Sequence, residues 1–125
     1  MSGDTFSAGH WPTEIRYRKD EKVLEVDFDD GAKFRLPAEL LRVESPSAEV
    51  QGHGPNQKQL IAGRRHVGIM AIEPVGNYAV RIRFDDMHDT GIYSWAYLYE
   101  LGQKKDQVWE EYLTTLAIAG KTRDP

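Results

Sequence analysis

Two histidines set among carboxylates hold most of the chemistry that this 125-residue sequence can offer. His88 stands in Asp85-Asp86-Met87-His88-Asp89 and His53 in Gly52-His53-Gly54-Pro55, with Glu49 nearby in sequence. Two imidazoles with carboxylates suit iron, manganese or zinc with open coordination positions, so His88, His53 and Asp86 are the candidate metal ligands. The same histidines also read as loop residues whose hydrogen bonds tie two irregular segments together. Glycines around His53 let the backbone approach a ligand closely, and equally serve a tight turn. Lys58, Arg64, Arg65 and His66 form a basic stretch that suits a phosphate, a carboxylate or an acidic partner. A solvated loop balancing nearby acids has the same composition. Trp95, Tyr97, Tyr99, Trp109 and Tyr112 offer either an aromatic contact surface or a cap on the core.

Other chemistries are missing from the pattern. There is no cysteine, hence no disulfide, thiolate metal site or thiol nucleophile. Gly-x-Ser-x-Gly, His-Glu-x-x-His and a Gly-rich phosphate loop are all absent. Ser45, Ser47 and Ser94 have no sequence context that would activate them as nucleophiles. A net charge of −4 argues against a general nucleic-acid binder. No apolar run approaches the roughly 20 residues of a membrane span, and Met1 to Trp11 lacks the cationic start and apolar stretch of a signal peptide. The expectation is a cytoplasmic protein with no membrane or nucleic-acid partner.

An internal echo organises the elements that must position these residues. Val26-Asp27-Phe28-Asp29-Asp30-Gly31 runs through Phe34 and Leu36 into Pro37-Ala38-Glu39-Leu40-Leu41. Ile82-Arg83-Phe84-Asp85-Asp86 runs through Ile92 and Tyr93 into Trp95-Ala96-Tyr97-Leu98. Both read as strand, Phe-Asp-Asp turn, strand, helix, but the second turn is two residues longer, where His88 sits. A turn that only reverses the chain needs Asp-Gly and nothing more, so the longer one is the first place to look for function.

The remaining elements follow from periodicity. Ile15 and Tyr17 begin the strands, and Leu24, Val26 and Phe28 alternate with Glu25 and Asp27. Ser45 to Gly68 reads mostly as loop with a short strand at Leu60-Ile61. Ile69 to Ile72 and Tyr78 to Phe84 are two more strands. Pro37 suits the first turn of a short helix, a second helix runs from Trp95 to Leu101 and ends at Gly102, and Val108, Trp109, Tyr112, Leu113 and Leu116 mark a last one capped by Asp106. The expected class is α+β: a small antiparallel sheet of five to seven strands with two or three short helices, the longest C-terminal. Residues 1–11 read as a flexible arm, 12–120 as one domain and 121–125 as a tail. If Ile15 to Arg18 lies at a sheet edge, it could pair two copies.

From Leu41 onward the chain resembles a family. The carriers are Leu41-Arg42-Val43-Glu44-Ser45-Pro46-Ser47-Ala48-Glu49-Val50, Gly52-His53-Gly54-Pro55, Glu73-Pro74-Val75-Gly76-Asn77-Tyr78 and His88-Asp89-Thr90-Gly91-Ile92-Tyr93-Ser94-Trp95. Together they resemble the gamma-butyrobetaine hydroxylase-like N-terminal domain, in its stand-alone bacterial branch, a domain of unknown function. The resemblance implies a small α+β domain without the hydroxylase's iron- and 2-oxoglutarate-dependent chemistry. That chemistry belongs to a separate domain, which would begin where this chain ends, so no oxygenase activity is expected.

In the hydroxylases this domain holds zinc through three cysteines and a histidine. The resemblance lays those positions on Ser45, Ser47, Val50 and His88, so the Cys3His zinc site is not retained. It also implies that the Ser45–Val50 loop packs beside the His88 turn. Related domains occur fused to the hydroxylase and to iron–sulfur cluster carriers. The expected function is a non-catalytic binding or adaptor domain that holds a partner protein or small ligand with the 45–66 loop and the His88 turn. Ser45, Ser47, His53, Arg64, Arg65, His66 and Trp95 are its candidate contacts. The alternative is iron or zinc binding through His53, His88 and nearby carboxylates.

Overall fold

The computed structural model describes residues 10–52, 54 and 56–125. Most of the arm expected over residues 1–11, and His53 with it, therefore lies outside the described residues. The arm's last two residues are held in place. The His10 ring stacks on Tyr99 with centroids 3.5 Å apart, and the Trp11 carbonyl accepts the Asp29 N–H at 2.8 Å.

Leu24, Val26 and Phe28 alternate with charged residues, which gives a strand one apolar face, and all three are buried. This strand, β2 (Val23–Phe28), is the centre of an antiparallel meander with β1 (Pro12–Arg18) on one side and β3 (Lys33–Pro37) on the other. β4 (Ile69–Val75), β5 (Ala79–Phe84) and β6 (Gly91–Ser94) form a second meander. The class is α+β, as the sequence implies, but the strands make two three-stranded sheets instead of one. Where the sheets approach, Ile69 at the start of β4 donates its N–H to the Tyr17 hydroxyl at 3.0 Å. A side chain takes the donor that a continued ladder would need. The meanders share a core and not a ladder: Leu24, Val26, Leu36, Val80, Ile82, Phe84 and Tyr93 lie in one buried cluster.

A short helix, α1 (Ala38–Val43), runs through the middle of the molecule with all six of its residues buried. Pro37 precedes it as N-cap with ψ 144°, rather than lying in its first turn. Two of the six are charged, and each is answered from far away in sequence. Arg123 donates to both Glu39 oxygens at 2.8 and 2.6 Å, and Arg42 Nε donates to Asp86 at 2.7 Å. The C-terminal tail is thereby tied to the fold. Its backbone carbonyls at Thr122 and Arg123 also accept the Gly63 and Arg65 N–H groups, both at 3.0 Å.

Three local expectations change. Leu60-Ile61 is not a strand; the Ile61 carbonyl accepts the Tyr112 hydroxyl at 2.6 Å, and both residues pack beside Val43, Tyr112 and Leu116. The helix beginning at Trp95, here α3 because the single turn α2 (Ala48–Gln51) precedes it, continues through Gly102 to Gln103. Asp106 does not cap α4 (Lys105–Ile118). Only Lys104 separates α3 from α4, and its N–H bonds back to Glu100, so no loop remains for a side-chain cap. Asp106 lies in the first turn, where its negative charge complements the positive end of the helix dipole.

Gly102 is there for packing, not for helix termination. A Cβ at this position would lie 2.3 Å from Cγ of Phe34, so glycine lets α3 settle onto β3. Alanine in a helix interior normally stabilises by about 1 kcal/mol over glycine. Gly102→Ala is expected to do the opposite, lowering unfolding free energy by about 1–3 kcal/mol through overpacking. Phe34→Leu in the same chain should recover part of the loss. Urea unfolding measures both, and a stabilised Gly102→Ala would contradict the packing.

Candidate functional site

The two Phe-Asp-Asp turns are built alike up to one residue. In the first, Phe28 N–H bonds the Ala32 carbonyl at 2.8 Å, Gly31 N–H bonds the Phe28 carbonyl at 3.0 Å, and Ala32 N–H bonds the Asp30 carboxylate at 2.9 Å. In the second, Phe84 N–H bonds the His88 carbonyl at 2.9 Å, Met87 N–H bonds the Phe84 carbonyl at 3.3 Å, and His88 N–H bonds the Asp86 carboxylate at 3.2 Å. His88 therefore occupies the place of Ala32. The ladders pair Val23 with Pro37 and Ala79 with Ser94, so the second turn is one residue longer and not two, with Asp89 and Thr90 standing where the first has Lys33. Met87 occupies the place of Gly31, and both have positive φ, +77° and +92°. Glycine adopts that conformation freely, whereas a residue with a Cβ is strained by about 1–2 kcal/mol. Met87 is 85% exposed, so burial offsets little of this cost.

The extra length lets the turn clasp the segment after α1. Ser45 Oγ lies 2.9 Å from His88 Nε2, and His88 Nδ1 lies 3.3 Å from Glu49 Oε1. Because a carboxylate only accepts, the ring tautomer that suits both neighbours is protonated on Nδ1, with Nε2 accepting the Ser45 proton. Thr90 Oγ1 donates to the same Glu49 oxygen at 2.5 Å and lies 2.7 Å from Ser47 Oγ. Ser47 Oγ in turn accepts the Glu49 N–H at 3.1 Å and caps α2. The expected packing of the Ser45–Val50 loop beside the His88 turn is thus what the structure has.

Carboxylate, imidazole and hydroxyl in line would elsewhere activate a serine nucleophile. Here Ser45 is completely buried and already accepts the Ser47 N–H at 3.2 Å. A hydroxyl enclosed in this way has no path to a substrate, so the array serves to hold two segments together.

Beside the clasp, Asp86 Oδ2 accepts from Arg42 Nε at 2.7 Å and from Arg64 Nε at 2.6 Å. Burial pushes the Asp86 carboxyl upward, but the Arg42, His88 N–H and Arg64 bonds outweigh it and hold it below the usual carboxylate range. A cleft of about 280 Å³ opens here, with Arg42, Asp86 and His88 joined by Glu49 and Asp89 and by the apolar side chains of Val50, Ile61 and Met87. Arg42 Nη1 is the buried side-chain nitrogen that has no partner among the described residues.

Burial, helped by the Arg42 charge, lowers the His88 pKa below its ordinary 6.5, and the nearby Glu49, Asp86 and Asp89 do not reverse this. The unfolded chain then binds a proton that the folded one refuses. Stability should fall as pH drops below about 6.5 and level off once pH passes below the folded value. Urea unfolding between pH 7.5 and 5 reads this slope, and it should flatten in His88→Gln. An unchanged slope in that variant would assign the acid sensitivity to other groups.

The residues singled out from sequence separate into two sets. Asp86 and His88 line the cleft, and Ser45, Ser47 and Arg64 bond to the turn behind it, at His88, Thr90 and Asp86. Arg65 pairs with Asp124 at 2.5 Å, Lys58 with Glu44 at 2.7 Å, and the His66 carbonyl accepts Lys22 Nζ. Trp95 donates its indole N–H to the Asn77 carbonyl at 2.9 Å and does not line the cleft. His53 lies outside the described residues. Among the described residues no group of three or more His, Asp or Glu side chains could hold a metal ion. Ser45, Ser47, Val50 and His88, the positions that the resemblance laid on zinc ligands, carry two hydroxyls, an isopropyl group and one imidazole, a set that does not fit zinc. Arg42, Met87 and Thr90 were not singled out from sequence. The unmatched length of the second turn was a signal for Thr90, and the Gly31–Met87 correspondence was one for Met87.

The pattern of the family described as gamma-butyrobetaine hydroxylase-like, N-terminal, matches residues 15–99. Two solution NMR structures are similar over nearly the whole chain. One is 49% identical with a TM-score of 0.81, spanning 94% of this chain and 92% of its own. The other is 47% identical with a TM-score of 0.82, spanning 95% and 89%. A crystal structure of a protein with unknown function from Acidithiobacillus ferrooxidans, of the DUF971 family, is 43% identical with a TM-score of 0.62, spanning 73% of this chain and 91% of its own. No curated protein matches. Among the described residues no helix is long and apolar enough to cross a membrane.

Proposed function

This chain belongs to the gamma-butyrobetaine hydroxylase-like, N-terminal family, and from that premise we propose that it is a non-catalytic binding module whose contact surface is the His88 turn and the cleft beside it. The observation that carries this reading is Met87. Where the sister turn has an unstrained glycine, this turn has a strained methionine that is almost fully solvent-exposed. Strain that nothing in the fold requires is a marker of function, and methionine is a side chain that adapts to a partner's surface. Ser45, Ser47, Glu49 and Thr90 keep the turn in place, so its tip is presented on a rigid base.

The reading separates stability from function. Met87→Gly should raise unfolding free energy by about 0.5–1 kcal/mol, because relief of the left-handed strain exceeds the added freedom of glycine in the unfolded chain. The same variant should lose capture of the binding partner from cell extract. A variant that is stabilised and captures the partner as before would defeat the assignment. Metal content is read on the same preparations. Near-stoichiometric iron or zinc that disappears in His88→Ala would replace the binding-module reading with metal binding.

A further inference from the structure

We propose that β1 is the surface on which this protein pairs with a second copy of itself, the two strands running antiparallel about a two-fold axis at Ile15. Phe28 N–H bonds the Ala32 carbonyl, so alternation along β2 turns the backbone of Glu25 and Asp27 toward β1. Arg16 and Glu14 stand opposite those two residues. The N–H and C=O groups of Ile15 and Tyr17 therefore point away from the sheet, and no backbone group meets them among the described residues. The other edges are blunted. Pro37 in β3 and Pro74 in β4 have no N–H to offer. Lys105 Nζ takes the Arg35 carbonyl of β3 at 3.0 Å, and the Tyr17 hydroxyl takes the first N–H of β4. β6 is four residues long.

Charge chooses both the occupant and the register. With Ile15 opposite its own copy, each Glu14 faces Arg16 of the second copy. An axis at Glu14 or at Arg16 would set that charge against itself, and an axis at Tyr17 would set Arg16 against Arg18. Like charges directly opposite are destabilising, so the Ile15 register is favoured. Arg16 holds its own Glu14 at 2.7 Å, and Glu14 is 58% exposed. Pairing exchanges this bond for the same bond between copies, while Arg16 keeps Glu25 and Asp27 at 3.0 and 3.3 Å. On the other face the half-buried Ile15 and its copy cover one another beside the core that they already adjoin. The register shift between Pro12 and Glu14 is a bulge that ends the flat stretch. The ladder is short, so the dimer is weak, and two-fold pairing uses up both edges and stops at two.

The surface does not include the His88 turn, so this proposal does not rest on the binding-module reading. The test is sedimentation equilibrium of the intact protein up to about 1 mM, with amide hydrogen exchange at Ile15 and Tyr17 over the same concentrations. A reversible dimer is expected, with exchange at both amides slowing as it forms. A monomer throughout would overturn the proposal, as would a dimer that leaves the two amides unprotected. Protection that does not change with concentration would show that the chain covers its own edge, and would overturn it too. Glu14→Arg should weaken association at least tenfold, whereas Glu110→Arg, the same change at an exposed position on α4, should not. Equal effects of the two would refute the register. Met87→Gly should leave association unchanged, which keeps this surface distinguishable from the one that captures a partner.

Discussion

Gly91→Ala is expected to lower unfolding free energy by about 2–4 kcal/mol and to open the clasp around His88. Gly91 begins β6, opposite Ile82. A Cβ there would lie 2.6 Å from Ser45 Oγ and 2.9 Å from Cε1 of Tyr93. Ser45 and Tyr93 are both 0% exposed, and Tyr93 is anchored by its hydroxyl bond to the Leu41 carbonyl at 2.5 Å, so neither has room to retreat. Overpacking alone costs about 1–3 kcal/mol. Displacing Ser45 Oγ also strips the buried His88 Nε2 of its partner, a further loss of about 1–3 kcal/mol if no water replaces it. A double-mutant cycle tests the assignment. Ser45→Ala removes the atom that the new methyl strikes, so Gly91→Ala should cost less in that background than alone. Strict additivity would show that the clash lies elsewhere.

Arg123→Ala should be comparably damaging although only two residues follow it in the sequence. Its guanidinium bonds both oxygens of Glu39, whose side chain is 6% exposed on the central helix, and it lies 5.1 Å from the Trp109 ring centroid. Removing one partner of a buried pair typically costs about 3–5 kcal/mol, because the other charge stays behind unpaired. Arg123 is itself 29% exposed, so water can enter in its place, and the expected loss is nearer 2–3 kcal/mol. Arg123→Lys should fall between, since an ammonium cannot bond both oxygens in one plane. A chain ending at Gly120 should lose at least as much as the alanine variant. Unfolding of the three variants in urea measures this, and a loss below about 0.5 kcal/mol for Arg123→Ala would mean the pair is solvated in solution.

The sequence carried local structure and missed long-range partners. Period-two alternation placed β2 and β5, and the paired Phe-Asp-Asp turns were legible because Asp and Gly have a mechanism in turns. The approach of Ser45 to His88 came from the family resemblance, since nothing in either segment reports a neighbour 43 residues away. What escaped depended on such neighbours. Ile69 N–H finds the Tyr17 hydroxyl 52 residues away, Gly102 answers to Phe34 on another strand, and the buried Glu39 and Arg42 are met by Arg123 and Asp86. Periodicity reads the face of an element, not the partner that face will find. The internal repeat was the more useful guide at the site. It showed where the second turn departs from the first, although the turn proved one residue longer and not two, with Asp89 and Thr90 in the place of Lys33 and His88 in the place of Ala32.

The measurement that bears most directly on the binding-module reading is in-cell photocrosslinking with a photoreactive side chain at position 87 and, separately, at position 31. The turns share their hydrogen bonds, so the second site controls for exposure and geometry. A discrete adduct at 87, absent at 31 and weakened by Gly91→Ala, is predicted. Equal labelling at both positions, or none at 87, would contradict the claim that the His88 turn is where this domain meets its partner.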